Sequence, residues 1–578
     1  MQLFRHLSWF FRRYWYTYSL ALVMLFIVAL VNMAVPQLIG RAIDRLLATG
    51  EQASVEPFLL GLVAAGVVVY LLRYGWRRML FGTSYKLGNY LRRDFYQRLT
   101  RQGQAFYNGH STGDLMARAT NDIDAVEIAA GEGILSGFDG LLTFILVIIM
   151  MFVFIDWRLA ALAVLPFPFM AVGFYKLSNR IHDQFGDSLD RFSALNDHTQ
   201  QSITGIRMIK SMGRERIETA QFDDIAAHAA SSTYNVQRSE AMFQPIIQLS
   251  LGAAMLIVLL TGGWLIHNDE LTVGQLTSFT LYLSELIWPM YAFGWLMNIL
   301  QRGSAAMTRL NQTLSLPDTI TDAGTTLPYH HTIRVEQLTF HYPQAQRVAV
   351  HDVSFTLREH QVLGIAGATG SGKSTLLQLL MRYWEAENGM IRIGDVPLAN
   401  IPLAELRAQY AYVPQDGFLF STSILENIRM GRPDATDEDV YEAARLAAVH
   451  DDIARFPDAY NTLVGERGVT LSGGQRQRVS IARALISHAP VLILDDALSA
   501  VDVETEKQII GHLKQRKEQT LIIVTHRLSA IEDADEILVM AHGDVMERGD
   551  HQQLLTADGW YSRMFAYQQM EQNLEAAS

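Results

Sequence analysis

Between Tyr14 and Gly40 the chain carries no charged residue. As a helix that run can cross a hydrocarbon layer of about 30 Å, and in lipid only a backbone that satisfies its own hydrogen bonds is admissible. Arg5, Arg12 and Arg13 precede it, which places the N-terminus in the cytoplasm. A cleaved leader would have a shorter apolar core and a small-residue cleavage site, so the run is read as a retained span. A second uncharged run, Pro57–Leu72, ends at Arg73, Arg77 and Arg78. Lys86, Arg92, Arg93, Arg98 and Arg101 follow, so this end too is cytoplasmic.

The third and fourth spans are expected over Ile134–Ile155 and Leu159–Tyr175, separated only by the turn at Asp156–Arg158. A polar stretch, Lys176–Glu240, leads to a fifth span at Phe243–Ile266. A short loop, His267–Glu270, leads to a sixth at Leu271–Leu300, with Arg302 and Arg309 beyond it. Six spans with both termini inside describe a multi-pass protein of the inner (plasma) membrane. The two inner loops, of about 60 and 65 residues, are too polar for lipid and too long for simple connections. Helical periodicity in Tyr90–Leu99 and Leu195–Met208 predicts that the membrane helices continue into the cytoplasm. The loop tips are expected near Ser111–Arg118 and Gln201–Arg207.

Two carboxylates interrupt the spans. Asp139 lies near the start of its run, where it either reaches the headgroups or serves a function. Glu285 lies deeper, followed at helical spacing by Trp288, Tyr291 and Trp295. An acid beside an aromatic stripe suits a cationic amphipathic ligand, whereas a hydrogen-bonded carboxyl in a helix–helix seam is the alternative.

The remainder is of another kind. Pro317, Asp318, Gly324 and Pro328 mark a linker, 311–332, between a membrane domain, 1–310, and an α/β domain, 333–578. The apolar strand Val362–Ala366 leads into Gly367, Ala368, Thr369, Gly370, Ser371, Gly372, Lys373 and Ser374, and an apolar helix follows. Such a loop turns its backbone N–H groups inward at a helix N-terminus and holds phosphate; Lys373 reaches the outer phosphates and Ser374 takes Mg²⁺. Val491–Asp495 is an apolar strand ending in a carboxylate, the expected Mg²⁺ partner of Ser374. Asp496 stands where a general base for water is needed. Ile523–His526 is a further strand ending in a titratable group. Leu471, Ser472, Gly473, Gly474 and Gln475 precede the basic helix Arg476–Arg483, so their amides form a second anion cradle. Two cradles on separate elements are explained by two chains that face head to tail. With a net charge of −12 the chain is no nucleic-acid binder, and with no cysteine it has neither disulfides nor thiolate metal sites.

Taken together, these motifs resemble an ATP-binding cassette exporter half-transporter, over nearly the whole chain. The resemblance implies six long transmembrane helices followed by a P-loop nucleotide-binding domain that uses ATP and Mg²⁺. Gly367–Ser374, with Thr375 next to it, is similar to the Walker A loop, Leu492–Asp495 to Walker B, and Leu471–Gln475 to the signature motif. By the same resemblance Tyr342 stacks on adenine, and Gln415 senses Mg²⁺ and the attacking water. Ser499, Ala500 and Asp502 form the D-loop, and His526 is the switch histidine at the γ-phosphate. The loop tips become coupling helices, with Gly113, Asp114, Leu115 and Arg118 on one and Gly205 and Arg207 on the other. Thr112–Arg118, Gly559–Tyr561 and Tyr567–Met570 look most like multidrug-resistance-like subunits of heterodimeric bacterial exporters.

The chain departs from the family at Asp496, where Glu is usual. One methylene removes about 1.5 Å of reach, and a base must lie within hydrogen-bond distance of its water. Slow hydrolysis at this chain's own site is therefore expected, together with a non-identical partner subunit that has a catalytic Glu and an altered signature. Export of hydrophobic or amphipathic compounds by alternating access leads the readings. Lipid or lipid-conjugate flipping shares every ATPase residue and differs in the cavity, and a membrane sensor that binds ATP without transport is a third reading.

Overall fold

The computed structural model describes residues 2–49, 55–322, 324–343, 345–387, 390–465, 470–516 and 518–577. They fall into two compact units, Met1–Thr100 with Thr112–Leu316 and Arg101–Ser111 with Pro317–Ser578.

The first unit is built from helices. Among the described residues five are long and apolar enough to cross a membrane: α1 (Trp15–Ala48), α2 (Glu56–Arg101), α3 (Thr112–Ile155), α4 (Trp157–Thr204) and α5 (Glu215–His267). At 1.5 Å per residue even α1 is about 50 Å long and α5 about 80 Å, against a hydrocarbon core of about 30 Å. The polar parts of the inner loops are thus continuations of the spans. The sixth expected span is not one apolar run: it divides at Leu286 into α6 (Val273–Glu285) and α7 (Ile287–Leu314). Pro289 follows the break in the first turn of α7, where its missing N–H costs least. With 13 residues α6 is too short to span alone, and α7 carries Arg302 and Arg309.

Close backbone approach joins α1 to α6. A Cβ on Gly274 would lie 2.0 Å from the Gly40 carbonyl oxygen, so only glycine fits this crossing. Nearby, Ser278 Oγ donates to the Pro36 carbonyl at 2.8 Å, and the Tyr282 hydroxyl donates to that of Met33. At the α3–α4 turn, Asp156 accepts from the backbone N–H groups of Arg158 and Leu159 at 2.8 and 3.0 Å, and Arg158 reaches Glu270 at 2.6 Å. The turn is capped as well as short.

The inner hairpins differ in detail from the expected tips. In the first, the tip is the short helix Gln104–Gly109, which belongs to the second unit: Gly103 N donates to Thr319 Oγ1 at 2.5 Å. Gly113, Asp114, Leu115 and Arg118 lie instead on the returning helix α3. Arg118 there pairs with Asp114 at 3.0 Å and donates to Thr313 Oγ1 at 2.9 Å, fastening α3 to α7. In the second hairpin, α4 ends at Gly205, and Arg207 sits on a short helix, Ile206–Ser211, before α5 begins.

The second unit holds two sheets. The strands are β1 (Ile333–Phe340), β2 (Val350–Leu357), β3 (Val362–Gly367), β4 (Ile391–Ile393), β5 (Val396–Pro397), β6 (Tyr410–Val413), β7 (Val491–Asp495), β8 (Thr520–Val524), β9 (Glu536–Ala541) and β10 (Asp544–Gly549). One sheet is antiparallel, in the order β2-β1-β4-β5; the other runs β10-β9-β3-β8-β7-β6 and is parallel except at β10. β7 and β8 are buried along their whole length, which is why they read as unbroken apolar runs. The order β3-β8-β7-β6 brings four strand ends, far apart in sequence, to one edge.

Candidate nucleotide site

At that edge a cavity of about 600 Å³ is lined by Gly367–Thr375, Gln415, Asp495, Asp496, Thr525 and His526. The carboxyl ends of parallel strands are where open α/β sheets bind ligands. Gly370 and Gly372 adopt φ of +81° and +100°, and a Cβ on Gly372 would lie 2.4 Å from the Ala349 carbonyl oxygen. The loop therefore needs glycine on both conformational and steric grounds. Gly372 leads directly into helix α8 (Lys373–Leu380), whose free N–H groups face the loop.

Lys373 Nζ donates to the carbonyls of Gly367 and Ala368 at 2.9 and 2.8 Å and to Ser371 Oγ at 3.2 Å. Burial pulls its ammonium below the usual lysine range, against the opposing fields of Asp496 and Asp495. Ser374 Oγ donates to Asp495 Oδ1 at 3.2 Å, and the Tyr412 hydroxyl donates to Oδ2 at 3.1 Å. Burial pushes the Asp495 carboxyl above the carboxylate range, despite those two hydrogen bonds. A magnesium ion keeps several waters and takes one or two protein oxygens besides phosphate. The Ser374 hydroxyl and the Asp495 carboxylate fit that need; among the described residues no group of three or more acidic or histidine side chains offers a closed metal cage.

Asp496 sits in the left-handed region, at φ +51°. Both its oxygens are engaged: His526 Nδ1 lies 2.7 Å from Oδ1, and Gln415 Nε2 donates to Oδ2 at 3.2 Å. The three residues singled out as catalytic thus form one connected cluster. Tyr342 does not line the cavity; its hydroxyl lies 2.9 Å from Thr375 Oγ1, and its ring meets Trp384 edge to face at 4.9 Å.

Leu471, Ser472, Gly473, Gly474 and Gln475 stand outside this cavity. Ser472 caps helix α9 (Gly473–Leu485) in a reciprocal box, accepting from Gln475 N while Gln475 Oε1 accepts from Ser472 N at 3.0 Å. Gln477, one turn on, donates to the Gln415 carbonyl and to Ser499 Oγ, both at 3.2 Å, and accepts from Ala500 N at 3.0 Å. Asp502 caps helix α10 (Val503–Gln515) by accepting from Thr505 N at 2.9 Å.

Three contributors escape a reading of motifs. Tyr412, on β6, supports Asp495. Arg527 donates to Glu506 at 2.6 Å and to the carbonyls of Val501 and Ser499, tying the residue after His526 to the D-loop. Gln568, on the last helix α11 (Trp560–Ala577), donates to the His526 carbonyl at 2.7 Å and accepts from Leu528 N at 2.9 Å. Arg527 follows the strand end Ile523–His526 and Gln568 lies within Tyr567–Met570, but neither stretch showed in sequence what these side chains would touch.

A P-loop ATPase domain carried on the same chain as long membrane helices defines an ATP-driven membrane transporter. The comparisons with known proteins agree. The family described as "ABC transporter transmembrane region" matches residues 18–290, and that described as "ABC transporter" matches residues 350–499. The chain is 45% identical to the Multidrug resistance-like ATP-binding protein MdlA of Escherichia coli (strain K12), an alignment covering 100% of this chain and 98% of that protein. It is 40% identical to the Probable multidrug resistance ABC transporter ATP-binding/permease protein YheI of Bacillus subtilis (strain 168), over 98% of this chain and 97% of that one. A solved bacterial Atm1-family ABC exporter with ATP bound superposes with a TM-score of 0.80 at 26% identity, covering 96% of this chain and 98% of that chain. The chain belongs to the ABC exporter half-transporters, and its ATP hydrolysis is coupled to transport.

Proposed function

We propose that the chain exports hydrophobic or amphipathic small molecules by alternating access, as one subunit of a heterodimer in the inner membrane with both termini cytoplasmic. One observation carries the substrate class. A cavity of about 950 Å³ in the membrane unit is walled by Phe174, Tyr175, Phe243, Trp288, Tyr291 and Trp295. Aromatic walls with few polar groups suit large apolar or cationic ligands. Glu240 lines this cavity, and Gln244 there accepts from the Tyr291 hydroxyl. Glu285 lies elsewhere, in a smaller cavity with Asp139. The acid that lines the aromatic cavity is therefore Glu240, which precedes the fifth apolar run and so is not a charge inside a span.

In the ATPase unit, Lys373 and the loop amides hold the phosphates of ATP. Ser374 and Asp495 hold Mg²⁺, which supplies positive charge beside those phosphates when bound. Gln415, Asp496 and His526 position the attacking water, with the short Asp496 making this chain's own site slow. Leu471–Gln475 serve ATP held by a partner that brings its own Glu. Gly113, Asp114, Leu115, Arg118, Gly205 and Arg207 lie beside the hairpin tips and relay closure to the spans; differential binding of ATP to the closed state drives the change. The test is uptake of a cationic dye by inside-out vesicles, with and without ATP. ATP-dependent uptake that falls at least fivefold in Tyr291→Ala and Glu240→Gln supports the reading. Equal uptake without ATP overturns it.

A further inference from the structure

The smaller cavity, about 290 Å³, lies among α1, α2, α3 and the break between α6 and α7. Its polar lining is Asn32, Arg73, Trp76, Arg77, Asp139, Thr143 and Glu285, and Trp288 forms a wall common to it and the aromatic cavity. Ionisable groups inside a membrane domain normally pair with one another. Here Arg73 and Arg77, at the cytoplasmic end of the second apolar run, make no ion-pair contact with Asp139, Glu285 or any other carboxylate among the described residues, although Arg73 is near enough to Asp139 to act on it electrostatically. Arg77 lies over the Trp76 ring at 5.7 Å, and Asp139 accepts from the Trp288 indole at 2.8 Å. Glu285 makes no hydrogen bond among the described residues.

A second observation comes from Trp76. Its side chain is only 4% exposed, and its Nε1–H has no acceptor. An indole nitrogen is a donor only, and a buried donor without a partner is costly to leave unmet. The wall thus presents three donors without acceptors of their own, two guanidiniums and an indole, and a carboxylate without a donor. Guanidiniums favour phosphate because their planar fork matches its oxygens. On the outer face of α2, Tyr70 and Tyr74 continue from Arg73 and Arg77 as an exposed groove.

We propose that this cavity is a second ligand site, adjoining the aromatic one at Trp288, for a phosphate ester bearing a basic amine, the head-group chemistry of an aminophospholipid. Arg73, Arg77 and Trp76 take the phosphate, Glu285 takes the ammonium, and acyl chains lie along Tyr70 and Tyr74. The site rests on its own side chains and not on the export reading.

The test is calorimetric titration of the full-length protein in detergent with dihexanoyl phosphatidylethanolamine, dihexanoylglycerol and glycerophosphoethanolamine. Binding of a cationic dye is measured in parallel. The phospholipid should bind at least tenfold more tightly than dihexanoylglycerol. The double variant Arg73→Gln/Arg77→Gln should weaken phospholipid binding at least tenfold and Trp76→Phe at least threefold, with dye affinity unchanged. Glu285→Gln should weaken phosphatidylethanolamine but not dihexanoyl phosphatidic acid. Equal affinity for dihexanoylglycerol overturns the site, as do both sets of variants binding within twofold of the parent. Glycerophosphoethanolamine binding as tightly as the lipid upholds the site and makes its ligand a soluble phosphate ester. Loss of dye binding with phospholipid binding intact counts against the export cavity alone.

Discussion

Replacing Asp496 by Glu should speed hydrolysis at this chain's own nucleotide site. The Asp496 carboxylate is held by His526 at 2.7 Å and Gln415 at 3.2 Å, at the end of a backbone fixed at φ +51°. It cannot advance toward a water without leaving both partners. Glu adds about 1.5 Å of reach, and a misplacement of about 1 Å is worth on the order of a hundredfold in rate, or about 2.7 kcal/mol of barrier. His526 and Gln415 can then turn to the water and the phosphate. The assay is single-turnover hydrolysis of bound ATP by the purified chain, with Asp496→Asn beside it. Asp496→Glu should raise the rate between tenfold and a hundredfold. Asp496→Asn should lower it, because an amide cannot take the proton. A rate for Asp496→Glu within twofold of the parent, or below it, would refute the argument that reach limits this site.

Other expectations follow from the same geometry. Gln568→Leu removes two hydrogen bonds that hold the backbone around His526; at ~0.5–1.5 kcal/mol for each net hydrogen bond, about 1–3 kcal/mol together, the ATP dissociation constant should rise roughly five- to a hundredfold by titration with a fluorescent analogue. Burial pushes the Asp495 carboxyl above its usual range, so its ionised form opposes folding above the unfolded pKa of about 3.9 and ceases to do so below it. Asp495→Asn should therefore raise the melting temperature of the nucleotide-free protein at pH 7.5, an advantage that shrinks toward pH 4, while abolishing Mg²⁺-dependent ATP retention; a constant advantage across pH would exclude this cause. Glu285→Gln should leave dye uptake within twofold, whereas Trp295→Ala should lower it, because only the second lines the aromatic cavity.

The phosphate loop, the carboxylate ending β7 and the signature box were legible because each is a short run whose chemistry is local. Gly370 and Gly372 answer to their own backbone angles, and Ser472 and Gln475 cap the same helix turn. The sixth span was legible in position but its form was passed over: the break at Leu286 lies just before Pro289, whose missing N–H removes the bond to the Glu285 carbonyl, a signal that run length alone does not weigh. The first hairpin tip was displaced for a related reason: Gly103 is drawn to Thr319, more than two hundred residues away.

Apolar run length, placement of Arg and Lys, and glycine spacing alone determined that this chain is a membrane protein with an ATPase, and the single residue Asp496 is what raises the expectation of a slow site. Those properties depend on local geometry and solvation, which neighbours in sequence supply. Tertiary structure decided which groups share a cavity. It put Glu240, not Glu285, against the aromatic wall, set Glu285 with Arg73, Trp76 and Arg77, and brought Gln568 to His526. The physical reason is that a helix face or strand end acquires its neighbours only when separate elements pack, and no periodicity within one element records which surface it will meet.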